Sequence, residues 1–168
     1  MSTPAWALTL AYWLHMLATV IWIGGLAALS ILVLPVARQV LDAQTYAGLL
    51  GNIQRRLDPL AWFSLALLVA TGLVQMSANP NYEGFLAVGN RWAAAILLKH
   101  LVIFGMVGLS AYMTWGVLPG LRRAVLRQAH GHNAPEAGRL EKRELLLLRL
   151  NLVLGVVVLA LTAVARVS

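Results

Sequence analysis

The chain has 168 residues, of which 60% are hydrophobic and only 11% are charged. Soluble domains are roughly half apolar and about a quarter charged, so this composition indicates a membrane protein and excludes an ordinary soluble domain. The sequence contains no cysteine, which excludes disulfides, thiolate metal sites, iron–sulfur clusters and covalently attached c-type haem, while the net charge of +7 lies in loops and does not favour nucleic-acid binding.

Four apolar segments follow one another along the chain, and each is near or above the roughly 20 residues that a helix needs to cross about 30 Å of hydrocarbon. The runs are continuous rather than alternating, which favours helices over a barrel. We therefore predict an all-α fold, a transmembrane up-down four-helix bundle in which residues 1–168 form a single membrane domain. The predicted spans are about residues 6–34, 59–78, 91–117 and 145–165.

Prolines suggest where these spans begin and end. Pro35 is predicted to end or kink the first span, and Pro119 with Gly120 is predicted to end the third. Asp58 followed by Pro59 has the pattern of a helix N-cap and a proline in the first helical position, so it is predicted to start the second span.

The connections between the spans differ in charge. Residues 38–57 and 121–144 carry most of the lysines and arginines, whereas residues 77–90 carry none. The positive-inside rule therefore predicts that the first and third connections are cytoplasmic and that both termini lie outside. The N-terminus lacks the basic start of a signal peptide, which predicts a retained span. The expected location is the bacterial inner (plasma) membrane, in contact with the lipid bilayer.

His15 is the one residue between Ala5 and Val36 that can carry a charge near neutral pH, which makes it a functional-site hypothesis. His100 occupies a comparable place in the third span. His15 follows Trp6, and His100 follows Trp92, by distances that place both histidines roughly 12–14 Å along their helices from an outer tryptophan belt. Spans one and three run in the same direction, so the two imidazoles are predicted at nearly equal depth.

Two imidazoles on diagonal helices suit a flat cofactor bound from both sides, and a b-type haem ligated by His15 and His100 fits this chemistry best. Copper is the alternative, because imidazole and thioether ligands suit Cu(I). Met76 is then the expected third ligand, since Met16 points about 100° away from His15 around the helix. Methionine also fills gaps in packed cores, so packing remains the competing explanation for each of these thioethers.

Other residues would surround such a cofactor. Trp22 and several small residues share a stripe with His15, while Phe104 and Gly108 share one with His100. Small residues also let membrane helices pack closely, which is the alternative explanation of both stripes. Lys99 and Arg91 could neutralise a haem propionate or a substrate acid, although Lys99 could instead extend its ammonium to the interface.

The motif His15-x6-Trp22-x-Gly24-Gly25 resembles the first span of CopD-type membrane domains, the family of copper-resistance inner-membrane proteins. Further similarities, over about Ala11 to the end of the chain, are Arg55-Arg56 before the second span, Thr71-Gly72 within it, Lys99 in the third span and Arg149-x-Asn151 at the start of the fourth. The protoporphyrinogen oxidase HemJ has a similar four-helix plan.

This resemblance implies that His15 is a metal contact in a copper-handling protein, or that His15 and Lys99 are the important positions of a HemJ-like enzyme that binds haem. His100 departs from the family pattern. The expected function is thus a haem-b protein in electron transfer or a subunit of a membrane redox complex. The alternatives are a CopD-like copper uptake protein, a HemJ-like porphyrinogen oxidase, and an accessory helix bundle in a larger assembly or homo-oligomer. No catalytic residue is assigned.

Overall fold

The four apolar runs are helical in the computed structural model, which describes residues 4–82, 84, 86, 89–132 and 135–167. These residues contain no strand, which confirms the predicted all-α fold. Span one consists of α1 (Ala5–Ala27), a π-helical segment (Ala28–Val33) and α2 (Leu34–Val40), and span two is α3 (Ala43–Ser77). Span three consists of α4 (Arg91–Tyr112), a second π-helical segment (Met113–Val117) and α5 (Leu118–Ala129), and span four is α6 (Glu136–Val167).

All four spans are long and apolar enough to cross a membrane. Their outer surfaces carry large apolar side chains, including Val20, Phe63, Leu101 and Val153, each more than half exposed. Such a surface is stable in lipid, where the helices also satisfy their own backbone hydrogen bonds. The chain is therefore a multi-pass membrane protein in contact with a lipid bilayer.

The packing confirms the up-down bundle. α1 lies against α3 and α6, α4 lies against α6, and α5 lies against α3 and α6. Spans one and three are therefore diagonal across the bundle, as are spans two and four. We call the end that holds Trp6, Ser77 and Arg91 the terminal end, and the opposite end, where Leu41 and Pro135 lie, the loop end.

The helix of span one continues past Pro35, where an end or a kink was predicted, and the helix of span three continues past Pro119, where an end was predicted. Each proline follows directly after a π-helical segment and a leucine. A proline ring inside a regular α-helix clashes with the carbonyl four residues earlier. The wider turn of a π segment relieves this clash, so the chain passes through both prolines without leaving the helix.

The predicted N-cap at Asp58 is also wrong. Asp58 and Pro59 lie inside α3, which begins at Ala43. The start of this helix is marked instead by Asp42, whose Oδ1 accepts a hydrogen bond of 2.9 Å from the backbone N–H of Thr45. A proline in the interior of a helix is tolerated in membrane proteins when neighbouring groups satisfy the freed carbonyl.

The loop end has a well-packed apolar core built from all four spans. Leu121 is 0% exposed at its centre. Its neighbours are Leu34, Ala37, Tyr46, Leu50, Ala124, Val125, Ala137 and Leu148. At the rim, Arg38 donates to Glu141 over 2.6 Å, and this ion pair joins span one to span four. The charged loop end is thus fixed by ordinary core packing together with one short ion pair.

Tyr46 gives this core a pH dependence. Its hydroxyl is buried and has no hydrogen-bond partner among the described residues. Burial, and then the charges of Glu144 and Glu141, raise the pKa of Tyr46 above its usual range, against a smaller opposing effect of Arg38. Above the ordinary tyrosine pKa of about 10, the unfolded chain therefore releases a proton that the folded chain retains.

Stability is consequently expected to fall as the pH rises through this window, and Tyr46→Phe should remove part of the fall. Near neutral pH the substitution should cost little, since no hydrogen bond is lost. Unfolding free energies of both proteins in micelles, measured at about pH 8 and about pH 11, test this expectation. Equal pH slopes for the two proteins would contradict it.

Candidate functional site

His15 is held in one orientation by span two. Its Nδ1 lies 2.8 Å from Thr71 Oγ1. The single hydroxyl proton of Thr71 is donated to the Leu67 carbonyl over 2.6 Å, so the hydroxyl accepts from His15 and Nδ1 carries the ring proton. The lone pair of the neutral imidazole is therefore on Nε2, the atom that a metal or a proton donor would meet.

Span two approaches this imidazole closely at Gly72. A Cβ atom at position 72 would lie 3.5 Å from His15 Cε1. One turn nearer the terminal end, Gln75 donates a hydrogen bond of 3.2 Å to the Ala11 carbonyl. Thr71 and Gln75 thus make polar contacts between helices, and these contacts determine how spans one and two are aligned.

The packing of span four places His15 and His100 at nearly the same level of the bundle. Gly155 of span four is packed between span one and span three, since a Cβ there would lie 3.5 Å from both Ile23 and Met106. Ile23 and Met106 are therefore level. His15 precedes Ile23 by as many residues as Leu98 precedes Met106, so His15 and Leu98 are also level. Lys99 and His100 directly follow Leu98, so His15 lies within two residues of their depth.

His100 is likewise oriented by a carbonyl. Its Nδ1 lies 2.7 Å from the carbonyl of Ile96, one turn earlier in α4. A carbonyl only accepts, so Nδ1 carries the proton and the lone pair is on Nε2. The ring is partly buried. Both intramembrane histidines therefore have a hydrogen-bond acceptor on Nδ1, a side chain for His15 and a backbone carbonyl for His100.

Lys99 brings positive charge to the same depth. Its side chain is partly buried, and its ammonium acts electrostatically on the His15 imidazole. Arg91 is exposed at the terminal end, at the first position of α4. Among the described residues, Lys99 is therefore a source of positive charge acting on the imidazole.

The two methionines considered as copper ligands lie in different places. Met76 is buried and packs against Trp92 and Ala93 at the terminal end, about one turn outward from His15. Met16 is 63% exposed on the lipid-facing side of span one. Met76 therefore lies inside the bundle, between the terminal end and His15, whereas Met16 points outward from the bundle.

Some predicted neighbours of a cofactor are turned outward. Phe104 is 64% exposed and Gly108 is also exposed, so this stripe of span three faces lipid rather than His15. Trp92 is 6% exposed, which corrects its assignment to an interfacial tryptophan belt, whereas Trp6 is 72% exposed at the terminal end as that belt requires. Trp22 is buried in the bundle, and its indole N–H has no partner among the described residues.

The bundle interior also holds polar side chains that sequence reasoning did not propose as part of the functional site. Asn151 is 1% exposed and donates a hydrogen bond of 2.7 Å to Ser110, which joins span four to span three. Ser30 and Ser64 are buried completely or nearly so. Serine is frequent in membrane helices, so only the register of the folded bundle distinguishes these inward-facing serines from the others.

Other candidate sites lie far from His15. Two surface cavities occur at the loop end, one of about 410 Å³ lined by Asp58, Thr114 and Arg122, among others. His130 and His132 are exposed at the turn after α5, and Asn133 and Ala134 lie outside the described residues. Within the described ranges, no three His, Cys, Asp or Glu side chains come together as a metal site.

Comparison with known proteins gives one match. The sequence model of a family described as "CopD: Copper resistance protein D" matches residues 51–165, which comprise most of span two and nearly all of spans three and four. No curated protein and no solved structure matches the chain. The matched region contains Thr71, Lys99 and His100, and it begins after span one, where His15 lies.

Proposed function

The chain belongs to the copper resistance protein D family, and on that premise we propose that it takes up or binds copper ions in the membrane through a site centred on His15. The copper ion is the substrate of this site rather than a resident cofactor. The observation that carries the proposal is the hydrogen bond from His15 Nδ1 to Thr71, which leaves Nε2 basic.

Three properties of the site support copper binding. Neutral imidazole is a good copper ligand, and His100 lies at nearly the same level of the bundle as His15. A hydrogen-bond acceptor on the second ring nitrogen fixes the ring and makes the ligating nitrogen more basic, as Thr71 would do for His15. Met76, buried about one turn outward, supplies a thioether between the terminal end and the imidazole.

The proposed orientation follows from charge. The loop end carries most of the basic residues, which favours a cytoplasmic location for it and an outward location for both termini. Copper would then reach His15 from outside, past Met76. We propose the bacterial inner membrane as the location, where the exposed arginines of the loop end would face anionic lipid headgroups.

Copper bound per chain tests the proposal. Purified protein in nanodiscs should bind copper in a form that His15→Ala abolishes and Thr71→Val weakens about 10–100-fold, the usual effect of losing a ligand's hydrogen-bond partner. Thr19→Val is the matched control, because the Thr19 hydroxyl only donates to the His15 carbonyl of its own helix and does not touch the ring.

His100→Ala and Met76→Leu then distinguish the ligand set. A loss of copper in either variant adds that residue to the site, and full retention removes it. Copper binding that is unchanged in both His15→Ala and Thr71→Val would contradict a site centred on His15. Helix content and thermal midpoint, measured on every variant, separate loss of the site from loss of the fold.

A b-type haem is the second candidate, supported by the equal depth of His15 and His100 on diagonal helices. Lys99 would then pair with a propionate, in an electron-transfer protein, a redox-complex subunit or a HemJ-like porphyrinogen oxidase. The outward orientation of Phe104 does not suit a macrocycle between the two spans. A Soret band after haem-replete expression, lost in both His15→Ala and His100→Ala, would favour haem over copper.

A further inference from the structure

The larger surface cavity at the loop end lies between span two and span three and has a volume of about 410 Å³. Its lining includes Asp58 of α3 and, from span three, Thr114, Leu118, Arg122 and Arg123. We call it the arginine cavity. Its volume is within the roughly 300–1,000 Å³ that ligand pockets usually have. Because charged and apolar side chains share its lining, the arginine cavity suits a ligand that is itself polar at one end and apolar at the other.

The arginine cavity lies at the level where charged residues begin in both helices. Span two holds no Asp, Glu, Lys or Arg between Asp58 and Ser77, and span three holds none between Lys99 and Arg122. Such uncharged stretches cross the hydrocarbon, and the basic residues that follow them lie among the lipid headgroups. The headgroups of the leaflet at the loop end are therefore expected beside this cavity.

The two arginines of the cavity are held in place by backbone from two helices. The Arg122 guanidinium lies against Gly51 of α3, where an added Cβ would be 3.8 Å from its Nε and 3.9 Å from its Cζ. Arg123 donates from Nε to the Pro119 carbonyl over 3.1 Å. Neither arginine forms an ion pair with a carboxylate of the described residues. Since a guanidinium has five N–H donors, each arginine keeps several of them for an anion.

Asp58 lines the same cavity from the other helix. It does not close onto either arginine as an ion pair in the described part of the chain, so opposite charges stand around one space. With Asp58 ionised, the two guanidiniums and the carboxylate sum to a charge of +1. A ligand that complements this lining carries one negative charge and a hydrogen-bond donor. A phosphodiester suits the guanidiniums, which bind phosphate oxygens in a bidentate manner, and a headgroup hydroxyl suits the carboxylate.

A stacked pair of tryptophans joins the same two spans nearer the middle of the membrane. The rings of Trp62 and Trp115 have centroids 5.5 Å apart and planes inclined by 15°. Trp62 follows Asp58 by about one turn, and Trp115 precedes Pro119 by about one turn. Trp115 is 70% exposed to the surroundings of the bundle. Tryptophan rings prefer the zone between headgroups and acyl chains, so this pair fits beside the glycerol ester region of a lipid, which a soluble anion lacks.

We propose that the arginine cavity binds one anionic phospholipid with a hydroxylated headgroup, of the phosphatidylglycerol type. Arg122 and Arg123 bind its phosphate, Asp58 accepts a hydrogen bond from a headgroup hydroxyl, and the glycerol esters lie beside Trp115. One lipid in a defined cavity is more than the general attraction of a basic surface for an anionic leaflet. The site is also independent of copper handling, because none of its residues is a proposed copper contact.

Lipid selectivity of the wild-type full chain tests the proposal without any substitution. The protein, purified in a neutral detergent, is titrated separately with phosphatidylglycerol, phosphatidylmethanol, phosphatidylethanolamine and phosphatidylcholine of equal acyl chains, and native mass spectrometry counts the bound lipids. One phosphatidylglycerol is expected to bind about tenfold or more tightly than phosphatidylcholine. It should also bind several-fold more tightly than phosphatidylmethanol, which has the same charge but no headgroup hydroxyl.

Three results of this titration would overturn the proposal. The first is equal binding of phosphatidylglycerol and phosphatidylcholine. The second is tighter binding of phosphatidylethanolamine, whose ammonium would then pair with Asp58. The third is displacement of the bound lipid by inorganic phosphate, which would assign the arginine cavity to a soluble anion.

Substitutions then locate the lipid. Arg122→Gln and Arg123→Gln should each weaken phosphatidylglycerol binding about tenfold, because each removes charged hydrogen bonds to the phosphate. Asp58→Ala should abolish the preference for phosphatidylglycerol over phosphatidylmethanol. Arg139→Gln is the matched control, since Arg139 is an exposed arginine of α6 that lies outside the cavity, and it should leave binding unchanged. Equal weakening in Arg139→Gln and Arg122→Gln would show diffuse attraction alone and overturn the site. Helix content, measured on every variant, verifies the fold.

Discussion

Replacement of Lys99 by methionine is expected to raise the affinity of the chain for copper about tenfold or more. Lys99 places a positive charge near the His15 imidazole, where it opposes a bound cation. At an effective dielectric constant of about 20, two unit charges about 4 Å apart repel by about 4 kcal/mol, and every 1.4 kcal/mol of repulsion that is removed is a factor of ten in affinity. Methionine keeps most of the volume of the side chain and removes the charge.

The same substitution has the opposite effect if the site holds haem. Lys99→Met would then remove the partner of a propionate and lower haem retention. Copper titration and the Soret absorbance, measured on one preparation of each protein, therefore distinguish the two functions by the sign of a single change. Arg91→Met is the matched control, since Arg91 is exposed at the terminal end and should alter neither quantity much. Unchanged copper and haem binding in Lys99→Met would show that the ammonium does not act on the site.

Replacement of Leu121 by alanine is expected to lower the free energy of unfolding by about 2–5 kcal/mol. Leu121 is 0% exposed at the centre of the loop-end core, where its loss would leave a cavity among side chains of all four spans. Unfolding in mixed micelles measures the effect. Leu126→Ala is the control on the same helix, because Leu126 is 40% exposed and its truncation should change stability by less than about 0.5 kcal/mol.

A small effect of Leu121→Ala, similar to that of Leu126→Ala, would contradict the assignment of this core as the main source of stability at the loop end. The difference between Leu121→Ala and Leu126→Ala matters because the halves of the spans nearer the terminal end are expected to be surrounded by lipid. There, burial of apolar side chains gains little, since lipid tails are as apolar as leucine.

The sequence was sufficient to predict the helical architecture and the nearly equal level of His15 and His100 in the bundle. Hydropathy alone identifies segments long enough to cross a bilayer, and the spacing from Trp92 to His100 matched that from Trp6 to His15. The register of the folded bundle agrees with this depth to within two residues. Depth is predictable because the rise per residue is nearly constant along every helix.

Rotation of the helices was less predictable. The sequence did not indicate that Phe104 faces lipid or that Trp92 is buried, because an almost wholly apolar helix has no hydrophobic face to orient it. For the same reason the pairing of His15 with Thr71 could not be distinguished beforehand from other contacts of spans one and two. Only the closed bundle, with Gly72 against the imidazole, selects that pair.

The two π-helical segments have a consequence for insertions and deletions. Each amounts to one additional residue in an otherwise α-helical span, placed just before the leucine that precedes a proline. Deleting one residue from Ala28–Val33 would therefore restore regular α-helical winding and leave the residues that follow close to their present phase, whereas a deletion from regular α-helix rotates everything that follows by about 100°. Leu34 and Ala37 would stay in the core, and Arg38 would still reach Glu141. The π-helical segment is thus the place in span one where the chain tolerates the loss of one residue.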